Sequence, residues 1–194
     1  MISTDDLVVM VQKGDIDAFD ELFEKYKNEA VRTAYLITGN WSICEDIAQE
    51  TFITCYKSIG SLKSPKAFTA WFYHILTRIA WKYGKIASLE ITDEDILSKA
   101  DEVNVDISFE KYEQSEINRV LYSEIAHLEP KQKASIILYY FCGLTTKEIA
   151  QVLKCREGTV KSRLHTARQN LKSNLDAKEH NEKERGVRAG NKVI

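Results

Sequence analysis

The stretch that decides how this chain reads is Leu144–Arg168, LTTKEIAQVLKCREGTVKSRLHTAR. It predicts two helices joined by a tight turn. Thr145 offers an N-cap hydroxyl and Glu148 follows three residues on, the spacing of a capping box. Ile149, Ala150, Val152 and Leu153 then share one apolar face, with Ala150 small where the helices must approach closely. Gly158 and Thr159 open the second helix. Its Val160, Leu164, Ala167 and Leu171 recur at i, i+4, i+7 and i+11 and so face a core, while Lys161, Ser162, Arg163, His165, Thr166 and Arg168 lie off that stripe. From Lys154 to Lys172 there are six Lys or Arg and one acid, Glu157. A cationic outer face on a capped hairpin is the layout of a helix-turn-helix, whose second helix enters the major groove of DNA. An ordinary amphipathic hairpin with a solvated face explains the periodicity but not the cap, the turn and the basic excess together.

The rest of the chain is patterned to match. The net charge of −2 over 194 residues excludes a protein that coats nucleic acid indiscriminately, but the charge is unevenly spread. Residues 57–87 hold six Lys or Arg and no acid; residues 88–116 hold ten Asp or Glu against Lys99 and Lys111. Basic, acidic, basic along one chain suggests two nucleic-acid-facing modules separated by a segment that avoids DNA.

Apolar periodicity is helical throughout, and two prolines and eight glycines leave few interruptions. The expected fold class is all-α: two small helical domains joined by a flexible acidic linker. The first helix is expected over Thr4–Gln12, ending near Gly14, with Asp15 capping the next. Phe19, Leu22, Phe23, Tyr26, Ala30, Ala34 and Ile37 form a long stripe ending near Gly39. Ser42 and Glu45 read as a second capping box, opening a helix that turns Ile43, Ile47, Ala48, Thr51, Phe52, Cys55 and Ile59 inward up to Gly60. Ser64 as N-cap and Pro65 at the first helical position signal a further start, and that helix, packed by Phe68, Trp71, Phe72, Ile75, Leu76 and Ile79, is expected to stop at Gly84. These helices make a domain over residues 1–87, followed by the linker at 88–106. A second domain over 107–175 takes one helix from Phe109, Tyr112, Ile117, Val120, Leu121, Ile125 and Leu128, and another opening at Pro130 and broken by Gly143. Residues 176–194, polar and charged, read as a disordered tail or a fraying helix.

Several functions are excluded by what is missing. No Ser/His/Asp set, glycine-rich phosphate loop or metal-ligand cluster occurs, and His74, His127, His165 and His180 are isolated. No enzyme, cofactor, metal site or small-molecule substrate is expected. Cys44, Cys55, Cys142 and Cys155 are scattered and read as reduced thiols. Without an apolar run long enough to span a bilayer, or a signal-peptide profile after Met1, the expected location is the cytoplasm.

Two motifs then coincide. Glu45-Asp46-Ile47-Ala48-Gln49-Glu50-Thr51-Phe52 in the first domain and Glu157-Gly158-Thr159-Val160-Lys161-Ser162-Arg163-Leu164 in the second, in this order and at this distance, resemble the bacterial sigma factors of the extracytoplasmic-function (ECF) group, the minimal form of the sigma-70 superfamily. The resemblance covers roughly residues 5–173. It implies a sigma-2 domain, a sigma-4 domain, and a protein that brings core RNA polymerase to specific promoters and aids duplex opening in response to an envelope or external signal. Implied partners are core polymerase (its β′ coiled coil and β flap), promoter DNA (the −35 element as duplex, the −10 element as single strand) and a membrane-bound anti-sigma factor that could hold the protein at the inner face of the membrane.

Residue roles follow from the motif match. Asp46, Gln49, Glu50 and Ile53, spaced to share one helix face, align with the polymerase-docking helix, although sequence chemistry alone favours a solvated acidic stripe. Aromatic and basic residues interleave from Lys63 to Lys85, as single-strand binding by stacking and phosphate contact requires. The resemblance puts the −10 base pocket in the loop Ser61–Lys66, and the expected −10 residues are Lys63, Ser64, Lys66, Arg78, Trp81 and Lys82, with Phe68, Trp71, Phe72 and Ile75 assigned to the core. Expected −35 residues are Arg156, Thr159, Lys161, Ser162, Arg163, His165, Thr166 and Arg168. Arg163 is either a phosphate or an intramolecular contact, and His165 either reads bases or is plain surface. The chain departs from the family pattern at Arg78, where many relatives have Asn, and at Arg156, where a Ser would cap the helix and Arg cannot.

A linker of nineteen residues reaches at most roughly 60 Å, enough for two modules to grip sites one and a half to two turns of duplex apart at ~3.4 Å per base pair. Two other readings fit parts of the chain: a dimeric DNA-binding regulator with a sensing N-terminal domain, and a polymerase-binding protein without promoter activity.

Overall fold

The computed structural model describes the backbone of residues 2–90 and 116–190 and the side chains of residues 2–85 and 120–177. Every described element is helical: α1 (Thr4–Gln12), α2 (Ile16–Thr38), α3 (Cys44–Ser58), α4 (Phe68–Glu90), α5 (Glu116–Ala126), α6 (Pro130–Ile136), α7 (Thr146–Val152) and α8 (Glu157–Gly190), with short 3-10 turns before α3, after α3 and before α4.

In the first domain the stops and starts have identifiable chemistry. Asp15 accepts from the backbone N–H of Ala18 at 3.1 Å and opens α2, and Gly39, at φ 71°, closes it in the left-handed conformation that glycine adopts freely. The helices α2, α3 and α4 then pack around Tyr26, Phe52, Phe68 and Phe72, with ring centroids 5.0–6.0 Å apart in tilted and edge-on pairs. Phe72, Ile47 and Leu76 are fully buried at its centre. Helix α1 seals one side through Leu7, Val8 and Val11.

Three local expectations are corrected. Ser42 and Glu45 do not cap α3: Asn40 accepts from the backbone N–H of Ser42 at 3.1 Å and starts a 3-10 turn, Trp41–Ile43, from which α3 continues without a side-chain cap of its own. The Asn40 amide reaches the first free donor before Ser42 can. Ser64 likewise makes no side-chain cap, and Pro65 opens a 3-10 turn, Pro65–Ala67, ahead of α4. Helix α4 does not stop at Gly84 but runs to Glu90. A lone glycine costs a helix only about 1 kcal/mol relative to alanine, and helix formers follow it (Lys85, Ala87, Leu89).

In the second domain α6 passes into a π-turn, Ile137–Phe141, that buries Ile137 and Leu138 and leaves Tyr139 and Tyr140 exposed before Gly143 (φ 67°) breaks the run. Helices α7 and α8 follow. Of the two alternatives for the tail, residues 176–190 take the helical one and continue α8. Low apolar content had no bearing on local helicity: the segment is rich in Ala, Glu, Lys and Arg, with opposite charges four apart at Glu179/Lys183 and Glu184/Arg188. Residues 91–106 of the expected linker, 107–115 of the second domain, and 191–194 lie outside the described residues.

The two domains touch. His74 Nδ1 on α4 lies 2.6 Å from the carbonyl of Val152 at the end of α7, and since a carbonyl only accepts, Nδ1 is the donor. Thr33 Oγ1 on α2 lies 3.5 Å from Cys142 Sγ, and the Arg32 guanidinium stands 5.4 Å from the centre of the Phe141 ring.

Candidate nucleic-acid interface

The hairpin α7–α8 is built as its sequence requires. Thr145 Oγ1 accepts from the backbone N–H of Glu148 at 3.3 Å while the Glu148 carboxylate accepts from the Thr145 N–H at 2.8 Å, a complete capping box. The chain leaves α7 through Lys154, whose φ of 47° is left-handed without being glycine, and the N–H of Cys155 reaches back to the carbonyl of Ala150 at 3.0 Å. Glu157 ties the two helices together: its Oε1 accepts from Thr146 Oγ1 at 2.8 Å and from Lys161 Nζ at 2.8 Å. These donors, Lys161 first, hold the Glu157 carboxyl below the ordinary glutamate range.

Along α8 the stripe Val160, Leu164, Ala167 and Leu171 is buried. The opposite face is centred on Ser162, His165 and Gln169, all exposed, with Thr166 half-buried beside them and Lys161 and Arg168 exposed on one flank. Gln169 is absent from the sequence-based set, although its place seven residues after Ser162 puts it on the same face. Arg156 is exposed and Thr159 half-buried at the helix start. Arg163 turns away: its Nη1 donates to Cys155 Sγ at 3.6 Å, the intramolecular alternative, so it braces the turn. Arg168 Nε donates to the carbonyl of Leu164 at 3.1 Å and keeps its position on the helix surface.

In the first domain the loop from Ser61 to Lys66 projects Lys63, Ser64 and Lys66 to solvent. Helix α4 aligns His74, Arg78 and Lys82 four apart, so they stand in one row, and with Glu50 and Thr54 of α3 they line a cleft of about 440 Å³. Arg78 and Lys82 are exposed, whereas Trp81 is half-buried against the core. Glu50 sits at a crossing of roles. Its Oε1 is 3.3 Å from Lys82 Nζ, and its carboxylate accepts from Tyr83, which raises the Tyr83 hydroxyl above its ordinary value. Exposed pairs of this kind are weak, so parting Lys82 from Glu50, or Lys161 from Glu157, costs little.

The four residues expected to dock polymerase spread over the outer ridge of α3. Gln49 and Ile53 face α2, where Phe19, Phe23, Ala48, Phe52 and Tyr56 line a groove of about 730 Å³ flanked by Lys27 and Lys57. Phe23, Ile53 and Tyr56 are 39%, 47% and 51% exposed there, a large apolar surface for a monomer to leave in water. Asp46 is exposed on the same ridge, and Glu50 faces the α4 cleft instead. The sequence reading missed the groove because it arises only where two helices meet.

Among the described residues no cluster of His, Cys, Asp and Glu could hold a metal ion, and no helix is long and apolar enough to cross a membrane. Burial pushes the thiols of Cys44 and Cys55 up to about 12 and that of Cys142 up to about 11.

Residues 22–83 match the family model "Sigma-70 region 2", and residues 118–171 match "Sigma-70, region 4". The chain is 31% identical over 179 residues to the ECF RNA polymerase sigma-E factor of Haemophilus influenzae, covering 87% of this chain and 93% of that protein. It is 30% identical over 176 residues to the ECF RNA polymerase sigma factor SigW of Bacillus subtilis, covering 87% and 94%. Among solved structures, CnrH in complex with the cytosolic domain of CnrY superposes with a TM-score of 0.68 at 20% identity, over 90% of this chain and 97% of that one. The sigma factor RpoE of Bartonella quintana, in complex with the anti-sigma factor NepR, also gives a TM-score of 0.68 at 20% identity, over 83% and 98%. These two share the all-α fold. With both region models matched in order and near full-length relatives at this identity, the chain belongs to the ECF sigma factors of the sigma-70 family, which are not enzymes but the subunits that direct RNA polymerase to promoters.

Proposed function

We propose that the chain divides this work among three surfaces. The α3 ridge, with Asp46, Gln49, Glu50 and Ile53 and the adjoining apolar groove, docks on the β′ coiled coil of core polymerase, and the second domain engages the β flap. The Ser61–Lys66 loop, with Arg78, Trp81 and Lys82, holds the separated −10 strand and its extruded base. The outward face of α8, with Arg156, Thr159, Lys161, Ser162, His165, Thr166 and Arg168, reads the −35 duplex. Arg163 serves the turn rather than the DNA in this arrangement.

The observation that carries the reading is the geometry of α8. Its apolar stripe is consumed by the core, so short polar side chains flanked by cations are left facing outward along the helix. Phosphate contacts supply affinity there and Ser162, His165 and Thr166 can meet base edges. Regulation is proposed to come from a membrane-bound anti-sigma factor that holds the protein at the inner face of the membrane and covers these surfaces. The capture of the Bartonella RpoE with the anti-sigma factor NepR, and of CnrH with the cytosolic domain of CnrY, supports an anti-sigma partner.

Reconstituted holoenzyme tests the assignment. Asp46→Arg is expected to lower affinity for core polymerase while leaving the fold intact, and unchanged affinity refutes the dock. Lys161→Ala and Thr166→Ala are expected to reduce discrimination between matched and mismatched −35 elements with core binding preserved. An equal loss on every sequence would reduce both to phosphate contacts.

A further inference from the structure

Gln12, the last residue of α1, is exposed, yet its side-chain Nε2 donates two hydrogen bonds. Nε2 donates to the carbonyl of Ile59 at 2.9 Å and to the carbonyl of Leu62 at 2.8 Å. Those two carbonyls bracket the 3-10 turn Ile59–Ser61, which the N–H of Leu62 closes on Ile59 at 3.1 Å. Immediately beyond Leu62 the backbone carries Lys63 and Ser64, then turns at Pro65 into α4. One amide of the N-terminal helix therefore pins the base of the loop from which Lys63, Ser64 and Lys66 project. Packing does not demand this contact: α1 is held by Leu7, Val8 and Val11 on its buried face.

We propose that Gln12 is a positioning residue for −10 recognition, fixing the backbone of the Ser61–Lys66 loop so that it meets the extruded base in one register. The inference rests on the reading of that loop as the −10 pocket. Residues that recognise a base have to be held to within about half an ångström, and a loop of this length, with a single Pro for stiffness, needs an outside anchor. Gln12 supplies one with two directed bonds to backbone, so it acts whatever side chains the loop carries.

The test uses reconstituted holoenzyme on promoter templates with single −10 substitutions and, in parallel, single −35 substitutions, together with 2-aminopurine fluorescence at the extruded −10 base. Gln12→Met keeps the length and removes the donors; Gln12→Glu keeps the shape and can only accept. Both are expected to lower discrimination at the −10 element about tenfold and to blunt the 2-aminopurine signal, with −35 discrimination, core affinity and the far-UV melting midpoint unchanged. Unchanged −10 discrimination in Gln12→Met overturns the proposal. So does a loss confined to Gln12→Glu, which would be charge repulsion of DNA, or a uniform loss across both elements, which would be a folding defect. A chain with Lys63→Ala, Ser64→Ala and Lys66→Ala run beside them separates the two layers. If it shifts −10 discrimination and the Gln12 variants do not, the anchor alone fails. If neither shifts it, the reading of the loop fails and the anchor falls with it.

Discussion

Replacing Thr33 with cysteine should turn the contact between the domains into a reversible lock. Thr33 is buried on α2, and its Oγ1 lies 3.5 Å from the sulfur of Cys142 at the end of the π-turn. A disulfide needs sulfurs at about 2.0 Å, within reach of small side-chain adjustments from that separation. With the lock closed, the Val152 carbonyl stays on His74, and His74 is one helical turn, about 6 Å along the axis, from Arg78. The two surfaces proposed to read DNA then cannot separate. Promoter elements one and a half to two turns of duplex apart demand a span on the order of 50–70 Å at ~3.4 Å per base pair. A locked chain grips one element only and forfeits the gain from linking two sites, typically 10²–10⁴-fold. Promoter affinity of the oxidised holoenzyme is therefore expected to fall about a hundredfold or more and to return with reductant, while a chain also carrying Cys142→Ser does not respond. Joining two thiols releases two electrons and two protons, so the lock needs an added oxidant; and because burial raises the Cys142 thiol to about 11, its thiolate fraction at pH 8 is roughly one in a thousand and the lock forms faster as pH rises. Cys44 and Cys55, raised to about 12, compete even less. Filter binding or fluorescence anisotropy with a two-element promoter, alongside mass spectrometry to quantify the disulfide, decides the matter. Full affinity with the disulfide complete would show that separation of the domains is not required.

Two further outcomes follow from the hairpin. Lys154→Gly should stabilise the protein by about 0.5–1 kcal/mol in urea denaturation, because it removes the left-handed strain at φ 47° against a partly offsetting gain of freedom in the unfolded chain; no change would mean the turn carries no strain. The Glu157 carboxyl should titrate below its ordinary value of 4.5 by NMR. Since its folded value is the lower one, the Thr146–Glu157–Lys161 contact contributes fully above the unfolded carboxyl value and is lost only as pH falls through the folded one. A midpoint at or above 4.5 would refute the contact.

What could be read from the chain, and what could not, divides along a physical line. Buried stripes were legible because they repeat: Val160, Leu164, Ala167 and Leu171 are apolar at helical spacing, and the core takes all four. Caps were legible where the side chain had no rival, as at Asp15 and Thr145, and misleading at Ser42, where Asn40 two residues earlier takes the donor first. A helix end was misjudged at Gly84, where one glycine was read as a stop although helix formers continue, while composition alone left the residues after Leu175 open between a disordered tail and a helix. For the interface, exposure of Lys161, Ser162, His165 and Arg168 follows from the stripe they leave free. The turning of Arg163 onto Cys155, the Glu50–Lys82 pair, the groove between α2 and α3, and the reach of Gln12 across fifty positions to Leu62 are tertiary facts with no local signal.

Helix α4 explains why these surfaces are coupled rather than merely adjacent. Phe72, Leu76 and Ala80 face the core of the first domain, so the remaining faces of one helix must serve everything else the domain does there. His74, Arg78 and Lys82 occupy a single row at intervals of four, about 6 Å apart along the axis. The first holds the second domain through Val152, the last is held by Glu50 from α3, and Arg78 stands exposed between them. A DNA strand that tracks this row to reach Arg78 and Lys82 must compete at one end with the docked hairpin and at the other with a carboxylate of the proposed polymerase dock. The ion pair is weak, worth roughly 0–1 kcal/mol, whereas the hairpin is held by the His74–Val152 hydrogen bond together with the Thr33–Cys142 and Arg32–Phe141 contacts. Occupation of the α3 ridge by a partner that draws Glu50 away would therefore free Lys82 before DNA arrives, and the row becomes continuous only once the hairpin has also moved to its own half of the promoter.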